Sequence, residues 1–148
     1  MANKKILIVY HSQGGNTEAA AQAVAEGVGT VEGVDPVIKR ASETGIEDLT
    51  GCDAVCFGTP DYFSYMAGML KDFFDRTFYP TQGQLDNKPC GLFVTHGGGG
   101  KAVQSVEKIC KSFKLKQIAP VVVVKNKPDD TARIALRKLG ATIAETLL

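Results

Sequence analysis

The chain has 148 residues, 44% of them hydrophobic and 22% charged, with a formal net charge of +1. That length suits a single domain, residues 1–148, and that profile excludes a disordered chain. No basic patch stands out, so no nucleic-acid partner is expected, and no acidic excess stands out either.

In chain order, Lys4 to Tyr10 contains Ile6-Leu7-Ile8-Val9-Tyr10. A continuous apolar run bounded by glycine-rich sequence predicts a strand buried on both faces. The run is too short for a signal peptide or a membrane span, so a soluble, cytoplasmic protein with no membrane partner is expected. Asn16 to about Val28, rich in Ala and Glu, predicts a helix with Asn16 as its cap. Val34 to Arg40 is a weaker strand, and Gly45 to Leu49 a turn or helical stub. Ala54 to Thr59 is a third strand, stopped by Pro60, which cannot donate to a ladder. Tyr65 to Thr77 places Met66, Met69, Leu70, Phe73 and Phe74 on one helical face. Pro80 to Asn87 is a polar loop and Cys90 to Thr95 a fourth strand. Lys101 to Phe113 is a helix with Val103, Val106, Ile109, Cys110 and Phe113 on one stripe. Ile118 to Val124 is a fifth strand, and Asp129 to Leu148 a last helix with acids at its positive end.

Strict alternation of strand and helix predicts an α/β three-layer sandwich, a five-stranded parallel sheet with helices on both faces. The expected strand order is 2-1-3-4-5. The four cysteines, Cys52, Cys56, Cys90 and Cys110, form no Cys-x-x-Cys pair and have no zinc-ligand spacing with a histidine, so no metal site is expected. Four reduced core thiols are expected instead, Cys52 and Cys56 sharing one face of a strand by their even separation.

In such a sheet, ligands bind beyond the carboxyl ends of the strands, where the strand order reverses. The loops after strands 1, 3 and 4 meet there. The first, Ser12-Gln13-Gly14-Gly15-Asn16-Thr17, joins turn-forming glycines and two hydroxyls to a helix N-terminus, a phosphate cradle built without Lys or Arg. The dinucleotide and P-loop glycine patterns are absent. The second loop, Gly58-Thr59-Pro60-Asp61-Tyr62-Phe63-Ser64, sets two aromatics where a flat heterocycle wants apolar walls. The third, Thr95-His96-Gly97-Gly98 with two further glycines, allows close backbone approach, and His96 can bond a ring or hold a proton. Each loop has a plainer reading: a capped turn, aromatics tucked into the core, and a solvent-facing histidine on a mobile loop.

The residues Ser12, Gly15, Asn16 and Thr17 after a hydrophobic strand resemble the FMN phosphate signature of the flavodoxin superfamily. Gly58-Thr59-Pro60 followed by Phe63, Met66 and Ala67 is similar to the second flavin loop of the tryptophan-repressor-binding-protein family of NAD(P)H:quinone oxidoreductases. His96-Gly97-Gly98 is similar to that family's third loop. The resemblance implies a flavodoxin-like domain with FMN as cofactor. It implies a phosphate held by residues 12–17, and a ring flanked by Pro60, Asp61, Tyr62 and Phe63 on one side and by Thr95, His96, Gly97 and Gly98 on the other. The chain is shorter than those quinone reductases, has no Trp, and lacks the strong acidity of electron-carrier flavodoxins.

Two functions follow from the resemblance. One is a small oxidoreductase passing electrons from NAD(P)H to a quinone or similar small-molecule acceptor. The other is a flavodoxin-type one-electron carrier between redox partner proteins. In either, the flavin supplies the chemistry and no side chain need act as acid or base. Asp61 close to a reduced ring lowers its potential by repulsion, unless its carboxylate turns away to cap a helix. A receiver-domain reading would need an acidic cluster after strand 1 and an Asp at the end of strand 3, where the chain has His11-Ser12-Gln13 and Gly58-Thr59-Pro60. A homodimer is compatible with the sequence, since closed two-fold assemblies are common.

Overall fold

A computed structural model describes residues 2–148. Its elements are β1 (Lys4–Tyr10), α1 (Asn16–Gly29), β2 (Val34–Arg40), α2 (Ile46–Gly51), β3 (Ala54–Tyr62), β4 (Tyr65–Met66), α3 (Gly68–Thr77), β5 (Pro89–His96), α4 (Val103–Ser112), β6 (Lys116–Gln117), β7 (Val122–Lys125) and α5 (Asp130–Glu145). The sheet runs β2-β1-β3-β5-β6, with β7 also beside β5. All these pairings are parallel. With β6 and β7 taken as one interrupted edge strand, this is the expected 2-1-3-4-5 order.

The unbroken apolar run of β1 follows from burial on both faces. Leu7 and Val9 join Val55, Phe57, Leu92 and Val94 under α3 and α4. Ile6, Ile8 and Tyr10 join Cys56 and Phe93 under α1 and α5. The α3/α4 side is aromatic, with Phe57, Phe73, Phe74, Phe78 and Phe113 in edge-on or tilted contact. The α1/α5 side is thin. A side chain at Gly27 would strike the Arg137 carbonyl, and one at Gly140 the Val24 carbonyl, so the two helices meet backbone to backbone.

Several boundaries differ from the sequence expectation. β3 does not stop at Pro60: it continues to Tyr62, and Pro60 stands opposite Thr95 of β5. The Gly58 carbonyl accepts from His11 N–H, on the β1 side. The nitrogen two residues on, at Pro60, faces the same side just past the end of β1, so no ladder donor is lost there. The chain then doubles back, Tyr62 pairing with Tyr65 and Asp61 with Met66 in an antiparallel hairpin. The expected helix from Tyr65 therefore begins at Gly68.

The fifth strand is also divided. Cys90 pairs with Gln117 and Phe93 with Val122, so the four residues 118–121 stand opposite two. Pro120 lies within that excursion and cannot donate to the ladder. Cys52 and Cys56 do not share a face. Cys52 lies at the end of α2, ahead of the strand, on the α3/α4 side, while Cys56 lies on the other side. All four thiols are free and buried. Burial raises the pKa of Cys52, Cys56 and Cys90. Among the described residues no helix is long and apolar enough to cross a membrane.

Candidate functional site

An open hollow of about 200 Å³ lies beyond the carboxyl ends of β1, β3 and β5. The loop after β1 contributes Ser12, Gln13, Gly14, Asn16 and Thr17. The β3–β4 hairpin contributes Pro60, Asp61 and Tyr62, and the end of β5 contributes Thr95, His96 and Gly97. Asn126, which follows β7, completes the lining.

The first loop is shaped by Gly15. It occupies the N-cap of α1 with φ of 97°, a left-handed conformation that only glycine adopts freely. Asn16 is therefore the first helical residue and not the cap, and no side chain caps this helix end. The Ser12 Oγ instead accepts the Gly15 N–H at 3.0 Å, closing the turn. The N–H groups of Asn16, Thr17 and Glu18 begin the helix and have no carbonyl four residues back within it. They point toward the loop, at the positive end of the helix dipole. A side chain at Gly14 would meet nothing within 4 Å, so the approach to the turn is open. Below it, the buried hydroxyls of Thr17 and Thr95 lie 2.7 Å apart and join α1 to β5.

Arg40 braces this loop from behind. Its Nη1 donates to the Ser12 carbonyl at 3.1 Å, and its Nη2 meets the Glu18 carboxylate at 3.1 Å. The guanidinium lies over the Tyr10 ring, whose hydroxyl donates to the same Glu18 oxygen at 2.9 Å. Burial together with this Glu18 bond raises the Tyr10 pKa. His11, edge-on to Tyr62, is held below its ordinary 6.5 by burial and by the Arg40 charge.

The hairpin is held by two polar residues. The Thr59 Oγ accepts the Ala67 N–H at 2.8 Å and is fully buried. Asp61 accepts the Ser64 N–H at 2.8 Å and, with its other oxygen, the Ala102 N–H at 3.2 Å. Ala102 is the N-cap of α4, so the carboxylate pins the hairpin to the glycine-rich loop. Phe63 and Ser64 form the turn with φ of 58° and 65°, the left-handed pair of a tight hairpin. Phe63 is wholly exposed at its tip.

His96 forms part of the opposite wall. Its carbonyl accepts the Asn126 N–H at 2.8 Å. Gly100, with φ of 71°, folds the loop back so that its Cα side closes on the imidazole. The Nδ1 of His96 is buried and has no hydrogen-bond partner.

Of the residues singled out in the sequence, eleven line the hollow. Gly15 shapes the turn, Thr59 lies beneath the hairpin, Phe63 points to solvent, and Gly98 lies one step further along its loop. Asn126 and Arg40 escaped the sequence reading. The signal for Asn126 was the polar Lys125-Asn126-Lys127-Pro128 turn after the last strand, at the same carboxyl end of the sheet as the other three loops. The signal for Arg40 was its place at the end of the second expected strand, Val34 to Arg40.

The family of NADPH-dependent FMN reductases matches residues 4–129. The chain belongs to that family. A flavodoxin from the domain Archaea superposes with a TM-score of 0.88 at 24% identity, over 97% of this chain and 98% of its own. The WrbA-like flavodoxin of Agrobacterium tumefaciens gives 0.82 at 22% identity, over 97% of both chains. The rubredoxin oxygen:oxidoreductase of Desulfovibrio gigas gives 0.86 at 21% identity, over 99% of this chain and 36% of its own. These likenesses show the flavodoxin-like fold. As a member of the NADPH-dependent FMN reductase family, the protein has FMN as its cofactor. The hollow's chemistry suits that group: neutral hydroxyl and N–H donors for a phosphate, a buried unpartnered ring nitrogen at His96, and one carboxylate whose two oxygens are already engaged.

Proposed function

We propose that the protein is an FMN-dependent oxidoreductase that takes electrons from NAD(P)H and passes them to a quinone or similar acceptor. The observation that carries this reading is a glycine turn at the start of α1, closed by the Ser12–Gly15 bond and opening onto a hollow lined by Tyr62 and His96, in a chain of the NADPH-dependent FMN reductase family. When bound, FMN supplies a ring that accepts two electrons from a nicotinamide and releases them to a second substrate.

The chain's own residues do the rest. Ser12, Gln13, Gly14, Asn16 and Thr17 hold the phosphate by N–H and hydroxyl donation, with Gly15 shaping the turn. Arg40 fixes the Ser12 carbonyl from behind, so that the donors stay aimed inward. Pro60, Asp61 and Tyr62 form one wall, with Thr59 securing the hairpin and Phe63 exposed at its rim. Thr95, His96, Gly97 and Gly98 form the other. His96 lines that wall between Thr95 and Gly97. The engaged Asp61 carboxylate turns its charge onto two backbone N–H groups, which weakens its repulsion of a reduced ring.

A one-electron carrier between redox proteins is the second reading, favoured by the near-complete mutual coverage with the archaeal flavodoxin. The purified protein should show absorbance maxima at about 370 and 450 nm, the flavin signature. Anaerobic NADPH or NADH should bleach them. A protein that bleaches only with dithionite is a carrier, and one that takes up no FMN overturns both readings.

A further inference from the structure

Between Lys88 and Lys127 the chain carries eight lysines and one acidic residue, Glu107, although its total charge is only +1. That stretch therefore stands at +7 and the remaining residues at −6. Lys88 is used internally, its Nζ donating to the carbonyls of Leu49, Thr50 and Cys52. The other seven lysines are exposed, and among the described residues none is ion-paired. Glu107 accepts from Gln117 at 3.0 Å. Elsewhere six of the nine long cations are ion-paired, as in Lys39–Asp48, Arg76–Asp72 and Arg137–Glu26, and among the described residues Lys4, Lys5 and Lys138 are not.

The topology gathers these charges along one edge of the molecule. Lys101 follows Gly100, which packs on the His96 ring. Lys125 is the register partner of His96, and Lys127 follows Asn126 of the hollow's lining. Val123, 47% exposed, lies among them beside Gly100. From this rim the charge runs along the outer side of α4, about 15 Å long, through Lys108 and Lys111. It ends near Lys116, which pairs with Pro89 at the opposite end of β5, about 23 Å from Lys125 at the strand rise.

We propose that this face docks an acidic one-electron carrier protein, which meets the FMN site at the rim formed by Lys101, Lys125 and Lys127. The proposal rests on the reading of the hollow as the FMN seat and adds a protein acceptor to the small-molecule one. For every two electrons delivered by NAD(P)H, two oxidised carriers are each reduced by one electron at this rim, and the two protons of the reduced cofactor pass to water. The length of the face exceeds what a nucleotide's phosphates span. Its lysines form no bidentate guanidinium fork for a phosphate; they supply a long-range field, which steers protein encounters. The −6 of the remaining residues repels an extended polyanion such as nucleic acid more than a compact protein. Lysines on an edge strand also block sheet-to-sheet pairing, but that role does not call for Lys101, Lys108 or Lys111 on α4 and its approach.

The test uses two haem proteins of opposite charge, acidic cytochrome b5 and basic cytochrome c. Calorimetric titration of the full chain at low salt should detect cytochrome b5 and not cytochrome c. Stopped-flow mixing of the FMN-loaded protein, reduced with dithionite, should show oxidised cytochrome b5 reduced about tenfold more slowly at 200 mM than at about 20 mM salt. Combined Lys101→Glu, Lys125→Glu and Lys127→Glu should slow it by about tenfold at low salt while the flavin spectrum is kept. Lys114→Glu with Lys116→Glu, at the far end of the face, should slow it by a clearly smaller factor. Equal effects of the two variants, a preference for cytochrome c, or lysine-dependent binding only to a DNA duplex or to NADPH would overturn the docking face. Cytochrome b5 binding by a chain that takes up no FMN would leave the face standing and remove the cofactor seat.

Discussion

Gly15 sits where α1 begins, at φ of 97°, and the whole phosphate turn depends on that conformation. Alanine there costs about 1–2 kcal/mol in the left-handed region. Gly15→Ala is therefore expected to weaken FMN binding by about fivefold to thirtyfold, while riboflavin, which lacks the phosphate, loses much less. Flavin fluorescence quenching measures both, and equal losses would place the phosphate elsewhere. His11 carries a pH dependence of defined sign. Burial first, and then Arg40, hold its folded pKa below 6.5. The unfolded chain therefore takes up a proton at a higher pH than the folded one. This stabilisation is complete above about 6.5 and is lost as pH falls toward the depressed folded value. Urea midpoints at pH 7.5 and 5.5 should fall in the native chain and fall less in His11→Asn. Parallel behaviour of the two would remove His11 from the effect. At this scale the sequence was legible where backbone chemistry acts locally, as in the turn at residues 12–17. It misassigned Asn16 as the cap, because the left-handed Gly15 took that position and Ser12 supplied the closing bond.

The two helices on the thin side of the sheet illustrate a competition between local and tertiary terms. In an isolated helix, replacing Gly by Ala stabilises by about 1 kcal/mol. At Gly140 the new methyl would meet the Val24 carbonyl of α1, a rigid partner. Overpacking of this kind costs about 1–3 kcal/mol or more, so the contact outweighs the propensity. Gly140→Ala is expected to lower the unfolding midpoint, whereas Gly29→Ala, with nothing within 4 Å, should leave it unchanged or raise it. Denaturant titration of the two variants separates these outcomes, and a stabilised Gly140→Ala would refute the backbone contact. The hairpin at β3–β4 shows the opposite failure of local reading. Tyr65 and Met66 fit the helical stripe by spacing, yet they pair with Tyr62 and Asp61. The Phe63-Ser64 turn has neither Gly nor Asn to announce its left-handed pair. Thr59 and Asp61, bonded to Ala67 and Ala102, hold that turn from outside it.

Across the whole molecule, alternation of apolar strands with amphipathic helices determined the layers and the parallel sheet, because each pattern has one face or two to bury. The three loops at the reversal of strand order were determined in the same way, since glycines, hydroxyls and a helix start act on the backbone beside them. What only the tertiary structure decided depends on residues far apart in the chain. Asn126 and Arg40 reach the site across the sheet edge and from β2. Phe63 is turned away from the hollow by a hairpin that Asp61 ties to the N-cap of α4. A net charge near zero concealed a lysine-rich edge, because acidic residues elsewhere in the chain cancel it in the sum. Local propensity acts through neighbouring residues and can be read from spacing, whereas cancellation, pairing and exposure are set by which distant segments the fold brings together.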